Sequence, residues 1–119
     1  MSETTPTFPG FEPKDILYKY EWNEKEKELI RSLREKGPAD SDTKKMLSDW
    51  IDAEEKRVEN SADPIAAILL NLRRARLYYD AGFLEEAWEN FESARRQAWN
   101  ENHDELSEKI GKEMDSLGL

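Results

Sequence analysis

The chain has 119 residues, 38% of them charged against 37% hydrophobic, with a formal net charge of -9 at pH 7, a length that suits one domain around one core of moderate size. It contains no cysteine, which excludes disulfides, thiolate metal sites and cysteine nucleophiles and points to the cytoplasm. Its first residues lack the basic and apolar regions of a secretory leader, and no apolar run is long enough to span a bilayer, so no membrane partner is expected.

Residues 1–13 read as a flexible N-terminal arm, because three prolines and no apolar period argue against helix. Residues 14–119 read as a single all-helical domain. Up to Trp22 the chain is nevertheless its most aromatic, with Phe8, Phe11, Ile16, Leu17, Tyr18, Tyr20 and Trp22. Two readings follow: this stretch packs across a groove of the chain's own bundle, or it docks on a partner with the aromatics as anchors.

A first helix is predicted over Glu24–Lys36, with Asn23 as cap and Glu26 completing a capping box, although a start near Asp15 also fits. Leu29, Ile30 and Leu33 form its narrow apolar stripe. Gly37 and Pro38 stop it. A second helix opens at Ser41 or Asp42 and runs to about Asn60 with Met46, Leu47, Trp50, Ile51, Ala53 and Val58 on one face. Its other face, with Lys44, Lys45, Asp49, Asp52, Glu55, Lys56 and Glu59, reads as solvated surface.

From Asp63 to Ala98 the pattern is that of two amphipathic helices folded back on each other. Asp63 is placed to cap the first and Pro64 to take its first position. Ile65, Ile68, Leu69, Leu72, Ala75 and Tyr79 then recur at the 3.6-residue period, widened by Leu70 and Leu77, which makes this the helix expected to be most buried. Gly82 supplies the left-handed residue that ends it. Leu84, Ala87, Trp88, Phe91, Ala94 and Ala98 restart the period at once, and so short a link forces an antiparallel pair.

Between Ile68 and about Glu101 the chain resembles the tetratricopeptide repeat, a 34-residue helix-turn-helix unit. Ala75, Tyr78 and Gly82 stand at its small, aromatic and turn positions, and Ala87, Phe91 and Ala94 at the small, aromatic and small positions of its second helix. Asn71 and Arg74 stand where the family has Trp and Leu, no Pro closes the unit, and stepping 34 residues back reveals no second copy. The resemblance implies a surface that binds a protein or peptide. In this register Leu69, Leu72, Arg73, Arg76, Tyr79 and Asp80 would meet the partner, although Leu69, Leu72 and Tyr79 serve equally well as core against the next helix.

A terminal helix follows, with Asn102 and Glu105 as a further capping box and Leu106, Ile110, Met114 and Leu117 at helical spacing. Glu108, Lys109, Lys112, Glu113 and Asp115 would be its wet face, as on a helix that caps a stack. The expected fold is thus all-α, about five helices in antiparallel hairpins, tetratricopeptide-like with a C-terminal capping helix.

No catalytic constellation emerges, and the chain is not expected to be an enzyme. The single histidine, His103, excludes sites of two or more imidazoles, and no cofactor or metal is expected. Carboxylate pairs such as Glu54 with Glu55 and Glu85 with Glu86 fall on wet faces, whereas general acid chemistry needs one of a pair buried. Acids outnumber bases in both halves of the chain, and the one cluster of positive charge is Arg73, Arg74 and Arg76 with Arg95 and Arg96, so direct nucleic-acid binding is not expected. Two functions fit this pattern: a small adaptor or regulator binding a protein, a peptide or its own copy, or an acidic mimic that occupies a basic or nucleic-acid-binding site on its target.

Overall fold

The computed structural model describes residues 22–119, so the arm over residues 1–13, the aromatic residues through Tyr20 and the alternative helix start near Asp15 lie outside the described residues. Among the described residues the chain is all-α, with five helices: α1 (Glu24–Lys36), α2 (Ser41–Glu59), α3 (Ala66–Asp80), α4 (Leu84–Asn100) and α5 (Asp104–Ser116). The bounds of α1 follow from local chemistry. Asn23 accepts from the Glu26 amide at 2.8 Å and Glu26 accepts from the Asn23 amide at 3.0 Å, the reciprocal capping box read from the sequence. α2 opens at Ser41, as expected, and Asp40 caps it by accepting from the Thr43 amide.

Two starts differ from expectation. The Asp63 carboxylate accepts from the Ile65 amide at 3.0 Å, two residues on, which folds Pro64 and Ile65 into a turn and delays α3 until Ala66. Asn102 does not cap α5. It stands at φ 65°, and the His103 amide reaches back to the Ala98 carbonyl at 2.8 Å while its own amide reaches Trp99, so it closes α4 instead. The end of α3 has the same form: Gly82 at φ 91° donates to Tyr79 and Phe83 donates to Tyr78. Gly118 at φ 77° ends α5 in the same way, with the Leu119 amide on the Met114 carbonyl. A short polar side chain such as Asn pays little for the left-handed region, which explains why one residue type serves at either end of a helix.

α3 is the spine shared by two cores. On one side Ile68, Leu72 and Ala75 pack with Phe91, Ala94 and Ala98 of α4 and with Ile110 and Met114 of α5. On the other, Leu77 and Ala81 pack with Leu29, Ile30 and Leu33 of α1. The small residues let α3 and α4 approach closely, since Ala75, Ala87, Ala94 and Ala98 have no exposed surface. α2 is held more lightly. Its apolar stripe is only half-buried, Ala53 is exposed, and its fully covered residues are Thr43 and Glu54. The Thr43 hydroxyl bonds that of Ser32 on α1, joining the first hairpin across its closed end.

Gly111 lies inside α5 without a positive φ, and a Cβ there would meet only the Arg95 Cδ, at 3.9 Å. Gly111→Ala is therefore expected to stabilise the fold by about 0.5–1 kcal/mol, because the helix gains propensity and nothing clashes. A rise in the thermal midpoint measures it.

Candidate functional site

The six residues singled out on the third helix are brought to one side of it only in part. Leu69, Arg73, Arg76 and Asp80 recur at steps of four, three and four and form a single stripe. The polar members show where that stripe lies. Arg73 pairs with Glu26 of α1 and with Glu54 of α2, whereas Arg76 pairs with Glu113 of α5. The stripe is thus the floor of a valley with the first hairpin on one wall and α5 on the other. Tyr79 flanks it and donates from its hydroxyl to the Leu117 carbonyl at 3.3 Å.

Two of the six residues correct the sequence reading. Leu72 has no exposed surface, because it faces Phe91 and Ile110 in the core and is not available to a partner. Arg76 is 1% exposed, and its Nε donates to a Glu113 oxygen at 2.6 Å while Nη2 donates to the other. Glu113 in turn is buried, not on the wet face of α5. A guanidinium taken out of water needs a carboxylate beside it, and the forked pairing supplies one. Leu69, Arg73, Tyr79 and Asp80 are half-buried and keep surface.

Arg73 organises the first wall. Its guanidinium lies 5.4 Å from the centre of the Trp22 ring, a cation-π arrangement. Glu26 beneath it also accepts from the Trp50 indole at 2.8 Å, and Glu54 also accepts from Arg57 at 2.8 Å. Glu54, read from sequence as one of a pair on a wet face, is therefore a buried partner of two arginines. Trp22 extends over the stripe itself, since its indole nitrogen donates to Asp80 Oδ2 at 2.6 Å, and the Arg34 guanidinium bonds the Asp80 carbonyl. Around this network the surface is indented. A cleft of about 420 Å³ lies between α1 and α2 and is lined by Leu29, Met46, Trp50 and Ala53 above Glu26 and Glu54, and another of about 230 Å³ lies between α2 and α3, beside Leu69 and Arg73.

Burial opposes ionisation of Glu26, yet the Trp50 and Asn23 donors and the Arg73 guanidinium together hold its carboxyl below the ordinary value of 4.5. A depressed carboxyl stabilises the fold above its unfolded-state value and loses that contribution as the pH falls through the folded-state one. Glu26→Gln is accordingly expected to be about 1–3 kcal/mol less stable than the parent at pH 7. The gap should narrow on acidification below 4.5, as urea melts at neutral and acid pH would register.

The arginine cluster is not a continuous basic surface. Arg73 and Arg76 are turned inward as described, and Arg95 is forked onto Glu92 at 2.6 Å through both Nε and Nη2. A second surface feature had no sequence signal strong enough to find it: Leu84, Trp88 and Trp99 on α4 are 54%, 43% and 64% exposed. Leu84 and Trp88 belong to the predicted apolar face of that helix, but Ala87, Phe91, Ala94 and Ala98 already fill the contact with α3 and α5.

Among the described residues no group of three or more His, Cys, Asp or Glu side chains could hold a metal ion, and no described helix is long and apolar enough to cross a membrane. Compared with family models, curated proteins and solved structures, the chain matches none of them.

Proposed function

We propose that the chain is a small, tetratricopeptide-like interaction module, an adaptor or regulator that takes a segment of a protein or peptide partner in the valley over α3. The supporting observation is the order in which the helices touch. α1 meets α2 and α3, α2 meets α3, α3 meets α4, and α4 meets α5, while Arg76 and Tyr79 join α3 to α5. An order in which each outer helix is held by the next inner one is that of a helical stack, whose inner helices share one concave side. The inner helices start at Glu24, Ala66 and Asp104, wider steps than the 34-residue unit, so the family likeness rests on the α3–α4 hairpin.

The valley suits an extended segment with apolar side chains, because Leu69 and Tyr79 offer half-buried surface next to Asp80 and Arg73, which fix polar groups. Panning a displayed library of random peptides against the full chain tests this. Bound peptides are expected to be retained when salt rises from about 50 to 500 mM, past the range in which exposed charges are screened. They are expected to be lost on Asp80→Ala and on Leu69→Ala with helicity unchanged, and kept on Trp88→Ser. Binding that vanishes with salt would favour the acidic mimic, and binding indifferent to both α3 substitutions would remove the valley from consideration.

A further inference from the structure

We propose that the exposed edge of α4 is a two-fold contact surface, and that its occupant is the α4 of a second copy of this chain, laid antiparallel. Trp88, Glu92, Arg95 and Trp99 follow one another at steps of four, three and four residues, which keeps all four on one side of the helix. None of them belongs to the core that α4 shares with α3 and α5. Trp88 and Trp99 are 43% and 64% exposed, and between them Arg95 is forked onto Glu92.

Read in either direction, the stripe is the same except that its two charges change sign. Laying a reversed copy on it sets Trp99 of that copy against Trp88 and Arg95 of that copy against Glu92, and the two-fold axis repeats both contacts, as a self-complementary interface requires. Glu89 and Arg96, on the flank of α4 that stays exposed, come within one turn of each other under the same reversal. A parallel copy would instead set Glu92 on Glu92 and Arg95 on Arg95, so the charges choose both the partner and its direction. The central ion pair is already formed within each chain, so covering it takes neutralised groups out of water and not bare charges. Two half-exposed tryptophans offer about 200 Å² of aromatic surface per copy, well short of the roughly 800 Å² that a lasting interface takes from each partner. The association is therefore weak and appears as concentration rises. This edge is separate from the valley over α3, and Trp88→Ser is expected to leave peptide capture intact, so either reading can fail alone.

Sedimentation equilibrium of the full chain from about 5 μM to about 1 mM, in about 150 mM salt, is expected to show the mass rising from 14.0 kDa toward twice that value. Trp88→Ser and Trp99→Ser are each expected to weaken the association at least about tenfold with helicity unchanged. Glu92→Arg alone and Arg95→Glu alone set like charges together at the centre and are expected to stay monomeric. An equal mixture of those two variants is expected to associate again, because each supplies the charge that the other lacks. A mass fixed at 14.0 kDa throughout, a mass that climbs past two chains, association indifferent to both tryptophan substitutions, or a mixture of charge variants no heavier than its parts would overturn the proposal. So would association lost on Leu69→Ala but kept on Trp88→Ser, because the copies would then meet through the valley.

Discussion

Arg76→Met is expected to lower stability by about 3–5 kcal/mol, the cost of leaving a buried carboxylate without its counter-charge. Glu113 sits within the α3–α5 contact with almost no access to water, so it cannot recover its hydration without opening that contact. Arg76→Met combined with Glu113→Leu should return most of the loss, because two apolar side chains of similar volume fill the space without a charge to solvate. Urea denaturation of the two single variants and the double gives the coupling energy directly. If Arg76→Met alone melts like the parent, the pair does not hold α5 in place.

Phe91→Ala is expected to cost a similar amount, about 3–5 kcal/mol, by opening a cavity where α3, α4 and α5 meet. The opposite substitution is the sharper probe of how the two helices of the central hairpin approach each other. Ala94→Leu adds volume where none is free, since Ala75 and Ala94 share one core without exposed surface, and should cost about 1–3 kcal/mol through forced shifts of backbone and side chains. Small domains are stable by only about 5–15 kcal/mol in total, so chemical denaturation followed by circular dichroism will separate these variants from the parent. An unchanged midpoint for Ala94→Leu would mean that the helices do not press together there.

The elements were legible in the sequence where their signals are local. The Asn23 and Glu26 capping box, the Gly82 stop and the antiparallel return into Leu84 involve residues a few positions apart, and all three stand where expected. Asn102 is ambiguous in the sequence because the same short amide side chain serves a helix start and a left-handed helix end, and Ala98 and Trp99, not Glu105, decide between them. The buried acids were illegible for a different reason. Nothing near Glu26, Glu54 or Glu113 in sequence marks it as buried; each is drawn inward by an arginine of α3 that lies elsewhere in the chain. The same holds for Leu72, whose period identifies a covered face but not what covers it. The stripe Leu69, Arg73, Arg76 and Asp80 was visible as a helical face, while its position between two walls depends on contacts that only folding creates.

The helix endings at Gly82, Asn102 and Gly118 share one geometry, and the first two each deliver the chain, within three residues, into an antiparallel helix. Leu119 stands after Gly118 as Phe83 stands after Gly82 and His103 after Asn102. A designed helix fused beyond Leu119 would inherit that launch direction without new loop engineering, which makes this fold a scaffold that can be lengthened one rod at a time.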